Sequence, residues 1–381
     1  MKNVARIIPC YAADTSGVCS ALYELGGLTV VHDASGCNST YSTHDEPRWY
    51  DMRSKIYISA LTELDSVLGN DEKFISDVVS AAHDQKPEFI ALCGSPMPMM
   101  TGFDYDAVAA EIENRSGIKT IALHTNGMNS YIDGASEALC EIVKAYAEED
   151  QNIVNGINVL GLTPLDFTLG SDKDIRDWLK YYNFECVCTL AMGSTLDDIR
   201  RMGSAALNLV VSQSGMAAAE YMLKEFCIPY VCAVPYGKLF SKKLASHMAS
   251  LIRDPLNFSP FVLPCDGFPE ADTVVIGEGI SAGSLAAALW SDMKVEAKPL
   301  CTLPSHSFFT AKCGGQLTAE EDIEAYLKET SPKTVIADPL YQYIVPDNTR
   351  FIALPHFAFS GRCFQKDMRS LINKNIKEYF K

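Results

Sequence analysis

The sequence predicts an α/β protein made of three successive doubly wound parallel-sheet domains. Three observations carry this. Short apolar runs bounded by turns recur along the chain, as buried parallel strands do. Stretches with helical spacing lie between them, and that alternation is the mark of α/β layers. Two breaks then renew the alternation, in a chain whose 381 residues exceed one ordinary core.

In the first domain, residues 1–150, strands are expected at Leu28–His32, Phe89–Cys93 and Thr120–His124. Helical spacing marks Asp71–Gln85, Tyr105–Arg115 and Gly134–Glu149. The polar run Glu148-Glu149-Asp150-Gln151-Asn152 ends it. The second domain, 151–264, has candidate strands Ile157–Leu162, Cys186–Leu190, Leu207–Val211 and Tyr230–Val234. Its helices are expected at Asp172–Tyr182, Gly215–Phe226 and Ser241–Arg253. A linker from Pro260 to Asp272, with Pro264 and Pro269, precedes the third domain, 265–381. There, strands at Val274–Ile276, Val335–Ala337 and Phe351–Leu354 alternate with helices at Ala282–Met293 and Ala319–Thr330. Asp367–Lys381 reads as a final basic helix.

Composition narrows the function. A net charge of −16 repels nucleic acid and anionic lipid, so neither is an expected partner, whereas a basic protein could dock. Val4–Ile8 is too short for a signal core, and no apolar run approaches the roughly 18 residues of a membrane span, so the expected location is cytoplasmic. Thirteen cysteines, an odd number in such a chain, argue against a full disulfide framework and suit an anaerobe or a metalloprotein. There is no C-x-x-C, so a metal site must gather cysteines from distant parts of the chain.

Several motifs have plain readings. Gly277-Glu278-Gly279 with Gly283 looks like a dinucleotide turn, but its last spacing is one residue too long and no acid is placed for a ribose. It reads as a strand-to-helix turn. No G-x-x-x-x-G-K-[ST] occurs, so ATP hydrolysis through a P-loop is not expected. Cys186 and Cys188 lie two apart on an apolar strand and read as core, as does Cys19.

Cys10, Cys37 and Cys93 are placed differently. Each sits just past a strand or apolar run: Pro9-Cys10, Ser35-Gly36-Cys37 and Leu92-Cys93-Gly94-Ser95-Pro96. The carboxyl ends of strands are where open α/β sheets hold ligands, and small flanking residues let backbone approach a bulky cluster. Free cysteine is also a good core residue, so position alone leaves both readings open.

These segments resemble the nitrogenase molybdenum-iron protein superfamily, whose first-domain pattern is a Cys followed by small residues, a Gly-Cys, and a Cys before a proline-rich loop. Thr125-Asn126-Gly127-Met128, Asn208-Leu209-Val210-Val211-Ser212 with Ile228-Pro229-Tyr230, and Pro355-His356-Phe357 with Asp367-Met368 extend the resemblance over essentially the whole chain. It implies Rossmann-like domains around a central cleft. It further implies an iron–sulfur cluster, 4Fe-4S or P-cluster-like, held by Cys10, Cys37 and Cys93 at an interface with a second copy or a related subunit. The implied role is the catalytic component of an ATP-dependent two-component reductase, fed by a separate iron–sulfur reductase protein. The alternative is a non-catalytic scaffold or carrier for metal-cluster assembly. Where the nitrogenase α subunit has a cofactor-anchoring Cys, this chain has Ser212, and a neutral hydroxyl is a poor iron ligand. His356, Ser212 and His44 are the candidate cleft residues.

Overall fold

The computed structural model describes residues 7, 10, 12–34, 40, 41, 43, 45–149, 151–255, 270–303 and 315–380. Among them, the strands form three separate sheets, all parallel.

The first sheet has the order β2-β1-β3-β4, from β1 (Leu28–His32), β2 (Ile56–Ile58), β3 (Ile90–Gly94) and β4 (Thr120–Leu123). Its helices are α1 (Asp14–Leu22), α2 (Glu63–Leu68), α3 (Asp71–Gln85), α4 (Pro96–Thr101), α5 (Tyr105–Ser116) and α6 (Tyr131–Tyr146). The second sheet, β6-β5-β7-β8, contains β5 (Gly156–Leu160), β6 (Glu185–Thr189), β7 (Leu207–Val210) and β8 (Tyr230–Cys232). With it go α7 (Ser171–Tyr181), α8 (Leu196–Arg200), α9 (Met216–Phe226) and α10 (Leu239–Arg253). The third sheet, β11-β10-β9-β12-β13, contains β9 (Thr273–Gly277), β10 (Ala297–Cys301), β11 (Gly315–Gln316), β12 (Thr334–Ala337) and β13 (Arg350–Ala353). Its helices are α11 (Gly279–Ala288), α12 (Glu320–Thr330) and α13 (Phe357–Ser360). The boundary residues Asp150 and Pro264 lie outside the described residues.

The central strands β1, β3, β5 and β7 are wholly buried, which is why they read as largely apolar runs; the buried Asn158 and Asn208 bond each other across β5 and β7 at 2.9 Å. Helix α6 joins two units: Leu139, Ile142 and Val143 share one core with Ile157 and Val159 of β5. Helices α1 and α6 cross at glycines. A Cβ on Gly17 would lie 2.0 Å from the Tyr131 carbonyl oxygen, and one on Gly134 would lie 2.0 Å from that of Asp14. The start of the chain straps onto the third unit, where the Ala12 N–H donates to the Ala358 carbonyl at 3.1 Å and the Ile7 N–H to Glu320 at 2.9 Å.

The expected basic helix at Asp367–Lys381 is a correction. Among the described residues a single 3₁₀ turn forms within it, at Ile376–Glu378, while another, Gly361–Asp367, ends where it begins. Ile372 instead bridges Tyr236, and Asn373, in the left-handed region at φ 51°, donates its N–H to Pro235 at 2.7 Å. Burial of Leu371, Ile372, Ile376 and Phe380 against the second unit overrides helical propensity.

Candidate functional site

The polar residues converge where the second and third units meet, beyond the carboxyl ends of their strands. Strand β5 leaves its sheet through Gly161, whose φ of 83° favours glycine and whose missing Cβ admits the Gly215 nitrogen and Ser212 oxygen within 3 Å of that position. The turn that follows carries Asp166, whose N–H donates to the Thr163 carbonyl at 3.1 Å. Ser212 follows β7, His356 follows β13 and Glu278 follows β9. Tyr131 opens α6 behind a capping box of Ser130 and Asp133.

Asp166 is the hub. Its side chain is fully buried. One oxygen receives the Tyr131 hydroxyl and faces His356 Nε2 at 3.1 Å. The other receives the Ser212 hydroxyl at 2.6 Å and the Thr163 hydroxyl at 3.3 Å. With a carboxylate as its partner, Nε2 carries the imidazole hydrogen, and Nδ1 is left buried with no partner among the described residues. Asp338 fixes the histidine's backbone, accepting the His356 N–H at 2.9 Å and the Ser360 hydroxyl at 2.7 Å. The Phe359 ring lies 4.4 Å from the imidazole, centroid to centroid.

Ser212 and His356, both expected cleft residues, are thus brought together on one carboxylate. Ser212 also accepts from the Ser214 hydroxyl at 3.0 Å and the Ser214 N–H at 3.3 Å, so its oxygen is fully engaged. Asp166, His356 and Glu278 line a cavity of about 50 Å³ with Ser171, Ser281 and Ser370.

Glu278 explains the nucleotide-like turn. Its carboxylate folds back over the amino end of α11, accepting from Ile280 N–H at 3.1 Å, Ser281 N–H at 2.8 Å and Gln213 N–H at 3.1 Å. The helix terminus that would cradle a phosphate is occupied by the protein's own acid. Burial, then the neighbouring Asp166 charge, push the Glu278 carboxyl up to about 7.

The cysteines are distributed otherwise. Cys10 is half-buried and donates weakly to the carbonyls of Ala12 at 3.4 Å and Ala358 at 3.6 Å. Burial pushes its thiol up to about 12. Cys93 is the penultimate residue of β3, wholly buried, with Sγ 3.6 Å from the Val30 carbonyl. The neighbouring Cys19 thiol, then burial, hold its own well above the ordinary range. Cys19 packs in the same core, as expected. Cys188 is buried too, and Cys186, half-buried, packs against the same core beside a register shift between β5 and β6. Cys37 and His44 lie outside the described residues.

Ligation by a cluster needs converging thiolates. Cys10 suits such a role, since only weak carbonyl contacts hold its sulfur. Cys93 Sγ sits in the core beside the Val30 carbonyl, so ligation by it requires that sulfur to turn out of the contact. Among the described residues no group of three or more His, Cys, Asp or Glu is arranged to hold a metal ion.

Two features escaped sequence reasoning. Asp166 follows a strand through Gly161, a signal that could have flagged it. Arg48 had no local signal. It is buried between two units, bonding Glu46 at 2.6 Å, Glu24 at 2.9 Å, and the carbonyls of Ser20 at 2.6 Å and Ala191 at 3.0 Å.

Comparison with known proteins agrees with this architecture. A solved structure described as "Nitrogenase Cp1 at pH 6.5" superposes with a TM-score of 0.71 over 99% of this chain and 92% of that one. At 15% identity the likeness is one of fold. The nitrogenase iron-molybdenum cofactor biosynthesis protein NifE of Clostridium pasteurianum is 28% identical over 247 residues, 61% of this chain and 53% of that protein. A subunit of the light-independent protochlorophyllide reductase of Leptolyngbya boryana is 20% identical over 260 residues, 60% of this chain and 51% of that one. The chain thus spans about half the length of the curated relatives it matches. The model of the family described as nitrogenase component 1 type oxidoreductase matches residues 18–257, more than half of the sequence, and the chain belongs to that family.

Proposed function

We propose that the chain is the substrate-reducing component of a two-component, ATP-dependent reductase, and that reduction takes place at the cavity beside Asp166. One observation carries the reading: a buried, satisfied carboxylate orients a histidine that lines a cavity and whose second nitrogen has no partner among the described residues. Reducing a double bond consumes two electrons and two protons. Of the two protons, His356 hands one from Nδ1 to the reduced ligand and solvent supplies the other, while Asp166 keeps Nε2 protonated throughout. Ser212 and Tyr131 hold Asp166 in place. The electrons come from a separate iron–sulfur reductase that hydrolyses ATP. Cys10, Cys37 and Cys93 are the thiols we propose for an iron–sulfur cluster at an interface with a second copy or a related subunit. His44 stays a candidate through its closeness to Cys37 in sequence.

The similarity to a cofactor biosynthesis protein favours a second reading, a scaffold that assembles or carries a metal cluster. One anaerobic experiment separates the two. The purified chain is combined with a candidate iron–sulfur reductase, dithionite and ATP, then assayed for substrate reduction and for cluster transfer to an acceptor protein. Turnover that needs the reductase and ATP, and that falls about a hundredfold in His356→Ala, supports the enzyme. Cluster transfer without turnover supports the scaffold, and turnover with NADH alone overturns both.

A further inference from the structure

The cavity beside Asp166 does not end at His356. Leu354, Pro355, Arg369 and Leu371 line it and also line an outer groove of about 510 Å³ that includes Gln342, Phe364 and Tyr379. The two spaces are adjacent, with these four residues, Arg369 among them, common to both. We infer that they form one binding site for an organic acid, its carboxylate held by Arg369, its apolar body against Leu354, Pro355 and Leu371, and a neutral carbonyl oxygen reaching the inner cavity.

The inner end fixes the polarity of the ligand. Ser171, Ser370 and His356 line the cavity, and Ser171 Oγ, Ser370 Oγ and His356 Nδ1 are buried with no hydrogen-bond partner among the described residues. Ser171 is only 1% exposed. A buried polar atom left unpaired costs about 1–3 kcal/mol, so these atoms favour a ligand that satisfies them. Both serine hydroxyls can donate to a carbonyl oxygen. The carboxylates of the cavity have no such need, because Asp166 already accepts four bonds and Glu278 three. A second anion would meet the Asp166 charge, so the group that receives the serine hydroxyls is a neutral acceptor.

The outer end fixes the charge. Arg369 is exposed, lies 5.9 Å from the Tyr379 ring centroid and forms no ion pair among the described residues. Asp367 and Glu378 also line the groove, but both are exposed and Glu378 receives Asn375 at 2.8 Å. A guanidinium beside an aromatic face suits a carboxylate on a flat or apolar body.

That the ligand is the substrate rests on the reductase reading; its binding does not, so the test uses the chain alone, without reductase or ATP. Isothermal titration compares para-acetylbenzoate with para-ethylbenzoate, which lacks the carbonyl, and with methyl para-acetylbenzoate, which lacks the charge. We expect para-acetylbenzoate to bind at least about tenfold tighter than either, as one charge-assisted or one rescued buried bond implies. Arg369→Gln should erase the advantage over the ester alone. Ser171→Ala, or Ser370→Ala where the first variant does not fold, should erase the advantage over the ethyl compound alone. Equal affinities for the three probes, or no binding of any, overturn the inference, the second because water alone then satisfies the cavity. Binding without turnover in the reductase assay would leave this site standing and refute the reductase reading instead.

Discussion

Replacing Asp166 tests the hub most directly. In Asp166→Ala, the hydroxyls of Tyr131, Ser212 and Thr163 and the imidazole of His356 lose a shared acceptor in a buried site. At about 1–3 kcal/mol for each buried donor left unpaired, with part of the set relaxing onto neighbours such as Ser214, the loss should be roughly 4–6 kcal/mol. Asp166→Asn keeps the shape. Its oxygen can take Tyr131 and His356, Thr163 can rotate to accept from its amide, and Ser212 does so by giving up the Ser214 hydroxyl. The charge assistance and that one bond are lost, about 2–3 kcal/mol. Urea unfolding followed by fluorescence of Trp178, buried in the same unit, measures both variants. The reasoning fails if the alanine variant costs under about 1 kcal/mol, or no more than the asparagine variant.

Further outcomes follow from the same structure. The Glu278 carboxyl is raised from 4.5 to about 7, so its contribution favours the fold below the unfolded value and is lost as pH rises through about 7. Wild-type stability should therefore fall between about pH 5 and pH 8 with a slope of up to about 1.4 kcal/mol per unit, and Glu278→Gln should flatten that slope while lowering stability at pH 5. Arg48→Met leaves Glu46 and Glu24 without their partner and should cost about 3–5 kcal/mol in denaturant unfolding; Arg48→Lys, lacking the fork, should recover less than half. Gly17→Ala should force α1 off α6, lowering stability by more than about 3 kcal/mol, whereas Ala at exposed Gly69 should cost far less. Cys10→Ser, Cys37→Ser and Cys93→Ser, each made anaerobically, should lose iron by metal and sulfide analysis; full iron in all three would remove the proposed cluster.

Much of the fold was legible because buried parallel strands leave largely apolar runs, as at Leu28–His32 and Ile90–Gly94. The strands that escaped lacked that signature. Ile56–Ile58 is a three-residue edge strand with Tyr57 exposed, Ala297–Cys301 carries Pro299, and Gly315–Gln316 is two residues long. Of the site, Ser212 and His356 were legible from motif and position. Their meeting on Asp166 was not, since the carboxylate lies 46 residues from one and 190 from the other. Nothing local encodes such closure. Glu278 was visible only as the middle of a glycine turn, because the direction in which its carboxylate folds is decided by the helix it caps.

The strap at the start of the chain carries a consequence for biosynthesis. Cys10 meets the Ala358 carbonyl across 348 residues, so its native seat does not exist until nearly all of that length has been translated. At about 5–20 residues per second, the ribosome needs roughly 20–70 s to reach it. During that interval the thiol of Cys10 lacks its Ala358 partner and has only the local carbonyl of Ala12 within reach. Whatever first occupies that sulfur meets a nascent, unlatched segment, and closing the strap over Ala358 becomes a late step of maturation.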